Sequence, residues 1–170
     1  MEQWDIYNQD KKKTGKTVVR GTALEKGEYH LVVGIWTITD EGKILLTQRH
    51  PDIDAGLLWE CSGGGVSAGE SSLEGAVREL GEEVGIHVSE EDLVFLGTIL
   101  TEKYFVDSYL YRGNVKVEDL KLQEKEVVDA KLVTLAEFDE MDREHLIVEG
   151  MVEEFRVYQM KLLKHVTDKK

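Results

Sequence analysis

An α/β/α layered domain built around a mixed β-sheet is what this sequence predicts, on three observations. Leu31 to Thr39 is an almost unbroken apolar run rich in Val and Ile, the pattern of a strand covered on both faces. Ser71 to Gly85 carries helix signals at both ends. Val148, Met151, Val152, Phe155, Tyr158 and Leu162 recur at helical spacing, which gives a long amphipathic helix able to cover one sheet face. Strands and helices mixed in this order imply layers around one sheet.

The elements follow in chain order. Trp4 to Tyr7 and Thr17 to Arg20 flank the polar turn Asn8 to Gly15, which predicts a peripheral hairpin within residues 1–28. Lys11, Lys12 and Lys13 at its tip read as a solvated turn, with phosphate contact as the alternative. The core spans 29–138. Asp40-Glu41-Gly42 turns the central strand into Lys43 to Gln48. After a glycine-rich loop, Ser71 caps a helix, Glu74 completes a capping box, and Gly85 supplies the left-handed stop. Leu93 to Thr101 and Tyr104 to Arg112 form a hairpin, and Glu126 to Val133 a further strand. Thr134 with Glu137 caps a short helix. The final helix is expected over 143–165. No repeat or Pro-rich linker interrupts the chain, whose single proline is Pro51, so residues 1–170 read as one domain.

Composition narrows the partners. At 170 residues the chain has room for one ordinary core. Its longest apolar run, Leu31 to Ile38, falls short of the roughly 20 residues of a spanning helix, so no membrane is expected. The start, Met1 to Asp5, has no basic leader, and one cysteine, Cys61, makes no internal disulfide, which together suggest the cytoplasm. With 34 acidic against 21 basic residues the formal charge is −13, which disfavours a nucleic-acid polymer. A phosphate-bearing substrate would need a recruited positive charge, and a divalent metal suits a carboxylate-rich surface.

At about 100° per residue, Leu73, Ala76, Val77, Leu80 and Val84 share one stripe of the Ser71–Gly85 helix. Glu79, Glu82 and Glu83 group in the adjacent sector and project along one edge. Like charges at this spacing oppose the helix by a few tenths of a kcal/mol per pair, a cost that a bound Mg²⁺ or Mn²⁺ reverses while keeping coordination sites for phosphate oxygens and water. A wet glutamate face is the plainer reading of Glu82-Glu83 alone. The framework weighs against it: Gly64, five residues, Glu70, seven residues, Arg78-Glu79-Leu80, one residue, Glu82-Glu83, one residue, Gly85-Ile86. Nine fixed positions arise by chance on the order of once in ten million chains of this length.

This segment resembles the Nudix box of the Nudix hydrolase family, matched at every fixed position over 23 residues, with looser likeness from Tyr29 to Phe138. The resemblance implies an α/β/α sandwich with a loop-helix-loop motif, dependence on Mg²⁺ or Mn²⁺, and hydrolysis of a diphosphate linkage in small substrates of the nucleoside diphosphate-X type by metal-activated water. By motif position, Glu79, Glu82 and Glu83 would be metal ligands, with the Gly64 carbonyl a further one. Arg78 would orient the carboxylates, though a simple helix-surface pair with Glu74 is the alternative, and Glu70 would fix the loop. Gly63, Gly64 and Gly65 let the backbone approach an ion closely, and Gly69 permits a sharp entry into the helix. The general base would be Glu79 or Glu83 on the helix, or Glu124 or Glu126 before the last strand.

The sequence departs from the family where Trp59-Glu60-Cys61-Ser62-Gly63-Gly64 has Ser62 in place of the usual proline, and Ser67 in place of a common glutamate. Tyr29-His30-Leu31, Trp36, Leu45-Leu46, Arg49 and Trp59 also resemble isopentenyl diphosphate isomerase. That enzyme's loop cysteine and histidine fall at Gly63 and Gly65, and Cys61 reads as a small buried hydrophobe. Hydrolysis is therefore preferred, with the isomerase and a catalytically silent nucleotide- or partner-binding module as alternatives. Arg49 and His30 are candidate substrate contacts, against a peripheral salt bridge and a structural role. Trp36, Trp59, Tyr104 and Phe105 are core aromatics by default that could stack on a base. The hairpin and final helix offer free surface for a homodimer.

Overall fold

The computed structural model describes residues 1–167; residues 168–170, which the expected domain includes, lie outside the described residues. Strands β1 (Gln3–Tyr7) and β2 (Lys13–Val19) form a separate antiparallel pair. The main sheet is mixed and uses β3 (His30–Ile38), β4 (Ile44–Arg49), β5 (Trp59–Glu60), β6 (Ser62–Gly65), β7 (Leu93–Leu100), β8 (Tyr104–Arg112) and β9 (Val127–Val133). Helices α1 (Ser72–Val84), α2 (Leu135–Arg143) and α3 (Glu149–Thr167) complete the chain.

β3 runs parallel to β8 from His30↔Tyr104 to Ile38↔Arg112 and antiparallel to β6 from Val32↔Gly65 to Ile35↔Ser62. Its only register with β4 is Ile38↔Ile44. β4 instead pairs with β9 and β5. The sheet thus parts beyond the 39–43 turn into two wings, β7-β8-β3-β6 and β9-β4-β5, and the site lies at the parting.

β5 and β6 correct the expected loop. Glycine has little strand propensity, so the sequence pattern is silent there. Pairing is possible because Gly63 has no side chain: a Cβ at that position would lie 2.2 Å from the Val33 carbonyl oxygen.

Alternate residues of β3 face opposite layers, as strand geometry dictates. Leu31, Val33 and Ile35 meet Ala76, Leu80 and Val84 of α1. Trp36 and Ile38 meet Phe138 of α2 and Phe155 and Leu162 of α3. Ala76, Leu80 and Val84 are fully buried, so the predicted apolar stripe of α1 faces the sheet. A Leu or Val buried this completely stabilises by about 2 kcal/mol. The α1 caps form as expected: Ser71 Oγ accepts from Glu74 N at 3.1 Å, the Glu74 carboxylate accepts from Ser71 N at 2.7 Å, and Gly85 sits at φ 73°.

Two expectations change. α3 begins at Glu149 rather than 143, because Arg143 ends α2, Glu144 and His145 turn the chain, and residues 146–148 pair with β5: Trp59 N donates to Leu146 O (2.8 Å) and Val148 N to Trp59 O (2.9 Å). The N-terminal hairpin is less peripheral than expected. Ile6 is fully buried, and the Trp4 ring stacks on His30 with centroids 4.0 Å apart at 7°. Gly69 N donates to Asp5 Oδ2 (2.9 Å) and Ala68 N to Gln3 O (2.7 Å), tying the hairpin to the loop before α1. Lys11 is neither a solvated tip nor a free phosphate ligand, since it pairs with Asp107 and bonds Thr98 Oγ1 at 3.0 Å.

Candidate active site

The loop from β6 into α1 brings Glu79 and Glu83, one helical turn apart, against two consecutive glycines. Gly63 N donates to Glu83 Oε2 at 2.8 Å, and Thr47 Oγ1 of β4 donates to Glu83 Oε1 at 2.9 Å, so this carboxylate bridges the two wings. Glu79 lies against Gly64, where a Cβ would sit 2.6 Å from its carboxylate carbon. Both glutamates are buried, at 7 % exposure for Glu79 and 4 % for Glu83. Burial pushes the Glu83 carboxyl up to about 8, against the Gly63 N–H and with a further upward push from the Glu60 charge. Burial likewise raises Glu79, and the Arg78 guanidinium opposes it.

Arg78 gathers the loop. Its Nε and Nη2 hold the two Glu70 oxygens at 2.8 and 3.0 Å, and Nη2 also donates to the Gly65 carbonyl at 2.9 Å. Nη1 reaches Glu79 Oε1 at 2.8 Å and Glu82 Oε2 at 3.0 Å. Glu70 Oε2 accepts from Ser67 N at 2.9 Å, and Arg78 holds the Glu70 carboxyl below the usual carboxylate range. The surface pair of Arg78 with Glu74 does not form, because Glu74 turns back to cap the helix. Gly69, at φ 89°, makes the sharp entry.

Glu79 stands against Gly64 and Glu83 against Gly63, and the third expected carboxylate does not join them. Glu82 is exposed and turned onto Arg78, and among the described residues no three Asp, Glu, His or Cys side chains stand as a ready-made metal cluster. The physical reason lies in the ion pairs: Arg78 takes up Glu79 and Glu82, while Glu83 satisfies itself on Thr47 and Gly63. The donors that could hold a cation are the oxygens of Glu79, Glu82 and Glu83 with the Gly64 carbonyl, a set of hard ligands suited to Mg²⁺ or Mn²⁺. Glu79 shares the Arg78 guanidinium with Glu70 and Glu82, and Glu83 has no Lys or Arg ion-pair partner among the described residues.

Beside these glycines opens a cavity of about 460 Å³, whose lining includes Arg49, Glu60, Gly63 and Gly64. Arg49 therefore borders the site, but its guanidinium is engaged, with Nη1 on Glu60 Oε1 at 2.5 Å and Nε on Asp54 O at 2.7 Å. His30 is not among the residues lining this cavity. It stacks between Trp4 and Tyr104, its Nδ1 has no hydrogen-bond partner among the described residues, and burial pushes its pKa down. Glu126 is half-buried and close enough for its charge to raise Glu60 and Glu79, whereas Glu124 is exposed. Cys61 is buried, with its N–H on Met151 Sδ at 2.9 Å, and burial raises its thiol well above the ordinary value. Trp36, Trp59 and Phe105 are core, and Tyr104 lines the cavity.

Three residues escaped the sequence reading. Glu60 faces Thr47 across β5 and β4, and burial raises its carboxyl. Arg20 reaches Glu2 Oε2 at 2.8 Å, near enough to Glu79 and Glu126 for their charges to stabilise its guanidinium. Glu154 of α3 lines the cavity although it is only 7 % exposed. Only the strand pairing of Glu60 had a trace in sequence, and that trace needs the register to be known first.

A family model described as the NUDIX domain matches residues 28–155, reaching beyond the Tyr29–Phe138 likeness into α3. An uncharacterised Nudix hydrolase of Listeria monocytogenes is 35 % identical over 141 residues, covering 82 % of this chain and 83 % of its own. The crystal structure of DR0079 from Deinococcus radiodurans matches with a TM-score of 0.78 at 18 % identity, over 92 % of this chain and 99 % of that one. A bifunctional NMN adenylyltransferase/ADP ribose pyrophosphatase from Francisella tularensis, complexed with AMP and Mn ion, matches with a TM-score of 0.64 at 17 % identity, over 82 % of this chain and 43 % of that one. The two structures establish the shared fold, and the family model and the Listeria relative establish the lineage: this chain belongs to the Nudix hydrolase family.

Proposed function

We propose that this chain hydrolyses a diphosphate linkage in a small nucleoside diphosphate-X type substrate with water as nucleophile and a divalent cation, Mg²⁺ or Mn²⁺, as cofactor. The observation that carries this reading is the pair of buried carboxylates, Glu79 and Glu83, held against Gly63 and Gly64, two glycines that also line the cavity. The Francisella protein, which is an ADP ribose pyrophosphatase seen with AMP and Mn ion, supports it by analogy.

When bound by Glu79, Glu82, Glu83 and the Gly64 carbonyl, the cation would neutralise phosphate charge and acidify water. Arg78 keeps Glu79 and the loop in register through Glu70 and the Gly65 carbonyl. Among the four candidate bases we assign the proton to Glu126, since Glu79 and Glu83 are committed to the cation and Glu124 faces solvent. Arg49, released from Glu60, would meet a phosphate oxygen at the cavity edge. His30 positions the hairpin rather than the substrate. The chain is assigned to the cytoplasm, with a homodimer as its assembly; among the described residues no helix is long and apolar enough to cross a membrane.

The test is a panel of nucleoside triphosphates, nucleotide sugars, dinucleotides and isoprenoid diphosphates with and without Mg²⁺. Metal-dependent release of phosphate or nucleoside monophosphate supports the reading. An isomerised isoprenoid diphosphate that keeps its phosphorus, or binding with no turnover of any compound, overturns it in favour of the isomerase or the silent module.

A further inference from the structure

The end of the N-terminal hairpin lies over the glycine strand. Among the described residues β6 pairs with β3 alone, and along its other edge Gly63 N meets Glu83 while the Gly65 carbonyl meets Arg78. A Cβ on Gly65 would lie 2.7 Å from Trp4 Nε1 and 3.5 Å from Glu2 Oε1, so the hairpin sits directly on this residue. Backbone bonds hold it there: Ala68 N donates to Gln3 O at 2.7 Å, and Arg20 N to Glu2 O at 2.9 Å. The Glu2 carboxylate accepts from Trp4 Nε1 on Oε1 at 3.3 Å and from Arg20 Nη1 on Oε2 at 2.8 Å. Arg20 is thereby brought toward the carboxylates of the site. The Glu2 bond raises its guanidinium, and the charges of Glu126 and Glu79 add to that rise against burial.

Three arginines border the strand, and they are held to different degrees. Arg78 is spread over Glu70, Glu79, Glu82 and the Gly65 carbonyl. Arg49 holds Glu60 and the Asp54 carbonyl with only 24 % of its side chain exposed. The side chain of Arg20 bonds to Glu2 and is 53 % exposed. An ion pair this open to water contributes little to stability. Holding the hairpin does not require it, since the backbone bonds and the stack of Trp4 on His30 do so. A diphosphate gathered at Glu79 and Glu83 through a cation presents more negative charge than one carboxylate, and a guanidinium matches phosphate oxygens with a two-pronged fork. Exchanging Glu2 for such oxygens is favourable, and the Glu2 left behind stays in water.

We propose that Arg20 is a substrate-binding residue that exchanges Glu2 for a phosphate oxygen of the diphosphate, with the Glu2 carboxylate holding the phosphate's place on the guanidinium beforehand. This inference rests on the proposed diphosphate substrate. The hairpin then supplies one wall of the site, and Glu2 competes with substrate for a single cation. Removing the guanidinium weakens diphosphate binding, whereas removing the Glu2 charge does not. A pair that only pinned the hairpin on Gly65 would respond alike to the loss of either member.

The experiment is calorimetric titration of the full chain, with Mg²⁺ present, by imidodiphosphate, a diphosphate whose bridging nitrogen resists hydrolysis. Arg20→Ala is expected to weaken binding about fivefold, and Glu2→Gln to bind as tightly as the parent or more so. Unchanged affinity in Arg20→Ala, weaker binding in Glu2→Gln, or no binding by the parent overturns the proposal. If Arg20→Ala fails to fold, Arg20→Gln removes the charge while keeping a donor, and is expected to weaken binding to the same degree; parent-like affinity there overturns it equally. If the expected pattern holds while the parent turns over none of the diphosphates in the panel above, the hydrolysis reading fails and the assignment of Arg20 stands.

Discussion

Replacing Glu83 by Gln should abolish turnover and yet stabilise the metal-free protein. The carboxyl is pushed up to about 8 by burial, from an ordinary value of 4.5. A folded-state pKa above the unfolded one contributes stability that is fully present below pH 4.5 and is lost as pH rises through 8. At about 1.4 kcal/mol per pH unit, keeping Glu83 buried costs about 3 kcal/mol at pH 7 and about 4 kcal/mol at pH 8. Gln keeps the shape. Its carbonyl can still accept from Gly63 N, and its amide can donate to Thr47 Oγ1, whose own hydrogen then turns toward the Glu60 carbonyl at 3.4 Å. The rise to about 8 already includes the bonds that Gly63 and Thr47 make to the charged carboxylate, so their loss offsets none of the gain. The net expectation is a variant about 4 kcal/mol more stable than the parent at pH 8 and within about 1 kcal/mol of it at pH 5. Urea unfolding with a chelator across pH 5 to 9 measures both, and adding Mg²⁺ should stabilise the parent far more than the variant. A parent whose stability is flat over that range, or a variant less stable at pH 9, refutes the reasoning.

Other substitutions probe the rest of the site. Arg78→Ala strands Glu70 and Glu79 without their cation and should lower stability by about 2 kcal/mol, read by thermal unfolding. It should also lower kcat more than a hundredfold. Gly64→Ala places a methyl 2.6 Å from the Glu79 carboxylate carbon and should cut kcat at least a hundredfold with only a small change in melting temperature, since Glu79 can swing aside. Arg20→Ala removes a positive charge near Glu79 and Glu126 and should raise KM several-fold with kcat little changed, an effect that fades with added salt. Leu162→Ala empties a fully buried position of α3 and should cost about 3 kcal/mol in urea unfolding.

Much of this architecture could be read before any coordinates. The caps at Ser71, Glu74 and Gly85 are local chemistry, and they form as local rules dictate. The α1 stripe and the β3 run obey periodicity and pack as periodicity requires. The spacing of Arg78, Glu79, Glu82 and Glu83 marked the candidate site, but it could not say which carboxylates turn inward. That depends on Thr47, from a strand 36 residues away in sequence. β5 and β6 carry no propensity signal, because glycine beside Val33 is a matter of clearance. Glu60, Arg20 and Glu154 sit in segments whose patterns describe only a strand, a turn and an amphipathic helix. His30 shows the converse case, a residue type that invites a chemical role and is instead held in an aromatic stack.

The hairpin's ties to Gly69 and Asp107 bear on how the chain is made. Asp5 precedes Gly69 by 64 residues, and Lys11 precedes Asp107 by 96. On a ribosome the opening segment emerges long before its anchors exist, so the nascent chain holds Trp4 and Ile6 unburied for several seconds at ordinary elongation speeds. Docking of that segment is then a late, non-local event of maturation, and a bulky fusion ahead of Met1 would hang beside the loop that leads into α1.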